Sequence, residues 1–129
     1  INNSFIIPIE PYTTNGYQAT LDLFATGKEH PTAVFCYNDL IAIGVIEALT
    51  KLNIKVPEKV SVVGFDNIDF SGFVRIPLTT VQMPAYEIGK AATQLLIKQI
   101  SNSSKQLSEN ITLEHTLIVR ESCARLETI

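Results

Sequence analysis

Two short runs constrain the chain most. Thr32-Ala33-Val34-Phe35-Cys36-Tyr37 and Val60-Ser61-Val62-Val63-Gly64-Phe65 are β-branched and mostly apolar on both faces. A run of that length and pattern suits a strand in a sheet covered on both sides. Between them, residues 39–52 carry two helical stripes: Ile41, Val45, Ala48, Leu49 and Leu52, and Leu40, Ile43 and Ile46. A helix apolar on two faces is buried twice. One face lies on the sheet, and the other wants a neighbour, such as a second subunit.

The rest of the chain extends the pattern. Phe5 to Ile9, Thr79 to Met83 and Ile111 to Val119 are further strand candidates. A helix is predicted over 15–26, with Tyr17, Leu21 and Phe24 on one stripe and Gly27 as its stop. A third helix is predicted over 86–100, aligning Ile88, Ala92, Leu95, Leu96 and Ile100. Asn38 is placed to cap the central helix. Residues 69–75 suit a short turn, and the polar, Ser-rich stretch 102–109 a loop. Strands alternating with helices give an α/β fold with a mostly parallel sheet and flanking helices.

At 129 residues the chain has the size of one domain, and 46% apolar content is enough for a core. No apolar run approaches the roughly 20 residues of a membrane helix. No basic and then apolar leader is visible, on a chain that starts at Ile1. The net charge is −3, and the densest basic stretch is Lys51, Lys55 and Lys59 around a turn. Nucleic-acid binding rests on Lys and Arg at phosphates, so this chain alone is not expected to grip DNA. Cys36 and Cys123 form no C-x-x-C pair, and Cys36 reads as a small core residue. A reducing compartment is expected. His30 and His115 are isolated, so neither a metal site nor a cofactor is expected. The N-x-S/T triplets at Asn2, Asn102 and Asn110 carry no weight without secretion.

In open α/β sheets, ligands sit beyond the carboxyl ends of the strands. The residues there are Glu10, Pro11 and Tyr12 after the first strand, Asn38 and Asp39 after the second, and Asp66 and Asn67 after the third. An aromatic ring, an amide and a carboxylate at one rim suit a polyol: the ring stacks on apolar sugar faces, and the polar groups bond hydroxyls. Each has a plainer role available. Asn38 is an expected N-cap, and Asp66-Asn67 a turn. No nucleophile elbow, P-loop or dinucleotide fingerprint occurs. Asp66 and Asp69 suit a turn better than an acid–base pair.

Four blocks then carry a resemblance. They are the 14 residues Pro31-Thr32-Ala33-Val34-Phe35-Cys36-Tyr37-Asn38-Asp39-Leu40-Ile41-Ala42-Ile43-Gly44; the run Val56-Pro57-Glu58-Lys59-Val60-Ser61-Val62-Val63-Gly64-Phe65-Asp66-Asn67; Pro77-Leu78-Thr79-Thr80-Val81; and Val119-Arg120-Glu121-Ser122. In this order and spacing they resemble the lac repressor/galactose repressor (LacI) family of transcription regulators, over about residues 16–122.

The resemblance implies a fold like periplasmic sugar-binding proteins, specifically an incomplete three-layer α/β/α C-terminal subdomain of the effector-binding core. Asn38 and Asp66 would contact effector, and Tyr12 is the nearest candidate to stack on it. Residues 1–84 would be part of that subdomain. Residues 85–110 would hold a helix and loop normally packed in the other subdomain, and 111–129 a return strand and tail. Hinges would lie near Val81–Pro84 and Ile111–Leu113. The helix over 86–100 would then need cover from a second chain, a swap or a fold-back. A homodimer interface is expected at Leu40, Ile43, Ile46, Glu47, Phe70, Phe73 and Val74. A sugar or sugar phosphate is the default effector, and a cleft this incomplete should bind it weakly or not at all. Operator DNA would be met by a helix-turn-helix headpiece preceding this chain, in the cytoplasm. Two other readings stand beside this one: a periplasmic sugar-binding receptor of a transport system, and an enzyme using Asp66 or Asp39 as base, which no motif supports.

Overall fold

The computed structural model describes residues 5–25, 30–101 and 110–125. In chain order the elements are α1 (Thr13–Phe24), β1 (Ala33–Phe35), α2 (Asp39–Lys51), β2 (Ser61–Asp66), a 3-10 turn (Asp69–Gly72), β3 (Thr79–Gln82), α3 (Ala85–Ser101) and β4 (Thr116–Ile118). The sheet order is β1-β2-β3-β4. β1 and β2 are parallel, with Val34 opposite Val62, and β2 and β3 are parallel, with Gly64 opposite Thr80. The chain divides into two compact units, residues 1–82 with 117–129, and residues 83–116.

In the first unit the core gathers Phe24 from α1, Ile41, Ala42, Val45, Ile46 and Leu49 from α2, and Val62 and Leu78 around the sheet. α2 starts where Asn38 Oδ1 accepts the Ile41 N–H at 2.9 Å, a side-chain N-cap. It stops where Asn53 takes the left-handed conformation (φ 57°) and the Ile54 N–H closes onto the Leu49 carbonyl. Both apolar stripes contribute to burial within the chain. Leu40 is exposed and Ile43 half-buried.

Contact with α1 is set by two glycines. A Cβ on Gly16 would lie 2.5 Å from the Ile41 carbonyl oxygen. One on Gly44 would meet the Thr13 carbonyl oxygen and lie 2.8 Å from the Tyr17 nitrogen. The helices therefore touch backbone to backbone. This close approach explains why the buried face of α1 is Gly16, Thr20 and Phe24. The expected stripe of Tyr17 and Leu21 is only half-buried, apart from Phe24. Tyr17 instead lies beneath the Lys51 ammonium, 5.6 Å from its ring centre.

The sheet is stitched from behind by residues 120–123. The buried Ser122 hydroxyl donates to the Val62 carbonyl at 2.6 Å and accepts the Thr79 N–H at 2.8 Å. The Val62 N–H donates to the Ser122 carbonyl. One residue thereby serves β2 and β3 together.

Three expectations are corrected. β1 and β2 are not covered on both sides: Phe35 is 68% exposed, and Val63 and Phe65 are only half-buried. Residues 5–9 form no strand: Pro8 lacks an N–H to give a ladder, no sheet neighbour pairs with them, and Ile6 is exposed. The last strand is Thr116–Ile118 and not the whole of 111–119, because only that part joins the sheet. Along α3, in the second unit, none of the described residues is buried: Leu96 is 58% exposed and Leu95 half-buried. The loop expected over 102–109, Thr26 and the glycine stop at Gly27 lie outside the described residues.

Three substitutions probe this structure. Gly44→Ala forces two backbones apart and should lower stability by about 1–3 kcal/mol in urea unfolding. Gly89→Ala, with nothing within 4 Å of its new methyl, should leave stability unchanged or raise it. Ser122→Ala leaves the Thr79 N–H buried without a partner and should cost about 1–3 kcal/mol in the same measurement.

Candidate functional site

The carboxyl ends of β1, β2 and β3 lie side by side, since the three strands are parallel and in register. Each passes into a turn with a polar residue. Two side chains organise these turns from below.

The first is Asp39. It is fully buried at the start of α2. One carboxylate oxygen accepts the Thr80 hydroxyl at 2.5 Å, and the other accepts the Ile68 N–H at 2.8 Å. A Cβ on Gly64 would collide with the first of these oxygens. The second is Arg120. Its guanidinium donates to Asn67 Oδ1 at 2.7 Å, to the Leu78 carbonyl at 2.7 Å and to the Ser71 hydroxyl at 3.1 Å. Its N–H also donates to Thr79 Oγ1.

Between these anchors the chain leaves β2 with two successive left-handed residues, Asp66 (φ 102°) and Asn67 (φ 54°). Left-handed conformations are uncommon without glycine and persist where surrounding bonds over-determine them. Here the Asn67 N–H donates to Thr80 Oγ1 at 3.3 Å, and Asn67 Oδ1 also takes the Ser71 hydroxyl. Asn67 is thus committed to the turn. The Asp66 side chain is exposed. Desolvation at the strand ends, and then the Asp39 charge, raise its carboxyl above the usual carboxylate range.

Asn38 is half-buried, and its amide is occupied on both sides. Its oxygen caps α2, and its nitrogen donates to the Pro11 carbonyl at 3.3 Å. That bond brings the start of α2 beside the segment carrying Tyr12, whose ring is 60% exposed at the N-terminus of α1. The sequence reading passed over Gln82. It is the register partner of Asp66 at the end of β3, exposed, and sets an amide next to the carboxylate. Its signal was available: it closes the strand Thr79–Gln82 in the same way that Asp66 closes β2. Arg120 was read only as part of a recognised block, because its partners lie 42 to 53 residues away in sequence.

The Cys36 thiol is buried, and desolvation together with the Asp39 charge pushes its pKa up to about 12. It is a packing residue and a poor nucleophile. Cys36 and Cys123 are both free, and no group of three His, Cys, Asp or Glu among the described residues is placed to hold a metal ion. No described helix is long and apolar enough to cross a membrane.

Away from the rim, Phe70 on the 3-10 turn and Phe73 just after it are 73% and 90% exposed. Leu40 and Glu47 are exposed, and Ile43 and Val74 are half-buried. Ile46 differs from the others expected at an interface: its side chain is buried in the chain's own core, while Leu40 and Ile43 of the same stripe stay open.

Residues 4–123 match the periplasmic binding protein-like domain. The chain is 39% identical over 109 residues to the HTH-type transcriptional repressor CytR of Escherichia coli (strain K12), covering 84% of this chain and 30% of that protein. It is 35% identical over 106 residues to the HTH-type transcriptional repressor PurR of Vibrio vulnificus (strain CMCP6), covering 81% of this chain and 31% of that protein. The chain thus spans about a third of the length of the curated relatives it matches. A LacI family transcriptional regulator from Enterococcus faecalis V583, solved with bound ribose, superposes with a TM-score of 0.82 at 36% identity, covering 94% of this chain and 44% of that one. The chain belongs to the periplasmic binding protein-like domain family, and these relatives are transcriptional repressors and a LacI family regulator.

Proposed function

We propose that this chain is the effector-sensing part of a LacI-type transcriptional regulator, taking a small polyhydroxylated ligand of the ribose kind at the rim of Asp66, Asn38 and Tyr12. One observation carries the reading: an exposed carboxylate, held in a left-handed turn at the carboxyl end of a parallel sheet, in a chain that superposes at 0.82 on a ribose-bound regulator. The Asp66 carboxylate accepts sugar hydroxyls, Tyr12 stacks on an apolar sugar face, and Asn38 gives a hydroxyl the amide hydrogen that Pro11 does not take. The chemistry is binding, and no catalytic step is assigned. That these relatives are transcriptional repressors favours a regulator over a periplasmic transport receptor.

Regulation follows from differential affinity. Effector contacts differ between open and closed subdomain arrangements, and only that difference shifts the equilibrium. In this reading residues 1–84 serve the binding subdomain, 85–110 meet the other subdomain, and 111–129 return. Operator DNA is met through a headpiece outside this chain, in the cytoplasm. Leu40, Ile43, Glu47, Phe70, Phe73 and Val74, with Ile46 beneath them, form the surface that pairs with a second copy.

Two measurements test this. Hydroxyls donating to Asp66 favour its ionised form, so ligand lowers its midpoint and binding weakens as pH falls through that raised midpoint. NMR titration with ribose should therefore give weak, saturable shifts at residues 38 and 66 that fade on acidification. Asp66→Asn should abolish the acid limb and weaken binding about tenfold or more. An unchanged response in that variant contradicts the assignment. Separately, Ile43→Glu should turn dimers into monomers in sedimentation equilibrium, and a variant that stays dimeric removes the interface.

A further inference from the structure

The Asn38 and Asp66 contacts arise on different elements, one at the start of α2 and the other at the end of β2. A buried side chain adjoins both. We infer that Asp39 is a positioning residue of the ligand rim: by bonding Ile68 and Thr80 it holds the turn that presents Asp66 in fixed relation to Asn38. The inference rests on the reading of Asp66 and Asn38 as ligand contacts.

Three features point to it. Burying a carboxylate is costly unless both oxygens are satisfied, and here each oxygen has one donor from an element other than α2. Those donors flank the left-handed pair: Ile68 follows it directly, and Thr80 also receives the Asn67 N–H. Finally, β2 leaves space for this carboxylate by carrying glycine at position 64. Arg120 supports the far side of the turn through Asn67 and Ser71, but reaches neither Asp66 nor α2 in its bonds. Asp39 is the charge that acts on the Asp66 carboxyl, with Arg120 beyond Asn67 and Asp69 further along on the 3-10 turn.

Asp39→Asn keeps the shape but offers one acceptor oxygen where the carboxylate offers two, so one of the two donors loses its bond. In this chain, NMR should show Ile68 or Asn67 amide exchange rising about tenfold or more, the Asp66 midpoint moving down, and the ribose-induced shift at Asp66 disappearing. Thr80→Val keeps the Asp39 charge and removes the hydroxyl. There, exchange at Ile68, which Asp39 alone holds, should rise while the Asp66 midpoint stays raised, a split that general loosening of the fold does not give. The inference is overturned if Asp39→Asn leaves both the exchange and the Asp66 midpoint at wild-type values. Should that variant fail to fold, unchanged Ile68 exchange in Thr80→Val overturns it. A wild-type chain that shows no response to ribose defeats the ribose reading alone, and the exchange and midpoint results still decide the role of Asp39.

Discussion

A carboxylate removed from solvent stands where β1 passes into α2. Asp39 is held by the Thr80 hydroxyl and the Ile68 N–H, over the bare Cα of Gly64. Three consecutive strands of the sheet contribute to that arrangement: β1 leads into it, β2 gives it room and β3 supplies a donor. The turn after β2 keeps two left-handed residues because of it, and those residues set where Asp66 stands. The candidate site is thus built on secondary-structure termini and one buried charge, the kind of rigid support that an oriented polar ligand requires.

A second constraint works beside the first. Gly16 and Gly44 let α1 and α2 approach backbone to backbone, and this brings the chain before α1, with Pro11 and Tyr12, within reach of Asn38. Ser122 and Arg120 close the same unit from the C-terminal side through side-chain bonds to β2, β3 and the intervening turn. The candidate rim, the 3-10 turn and the last described segment accordingly share one hydrogen-bonded frame. The unit holding α3 has a different character, an amphipathic helix with no buried residue. Its exposed Ile88, Leu96 and Ile97 are an apolar surface of the sort that marks an interaction site.

Much of this was legible in the sequence, for physical reasons. β1 and β2 announced themselves through β-branched, apolar runs, although cover on both sides did not follow: Phe35 is 68% exposed, and only Val62 and Gly64 of β2 are buried. α2 did so because Asn38 is a good cap and its stripes are long. The place of Asp66 and Asn38 at the strand ends was read from position alone, and the structure puts both there. The failures share a cause. Residues 5–9 have strand composition but no partner in the sheet, and pairing is not written in composition. The face of α1 was misjudged because a helix crossing at glycines turns its small residues inward, against the hydrophobic pattern. Arg120, Ser122 and the second role of Asp39 depend on contacts between residues far apart in sequence, which no local spacing reveals.

The most direct test is a crystal structure of this chain grown in ribose. The account predicts sugar at the carboxyl rim, with a hydroxyl within hydrogen-bonding distance of Asp66, Asn38 and Tyr12 beside it, and the Asp39 bonds to Ile68 and Thr80 intact. Sugar bound elsewhere on the chain, or at the rim with Asp66 turned away from it, would contradict the account.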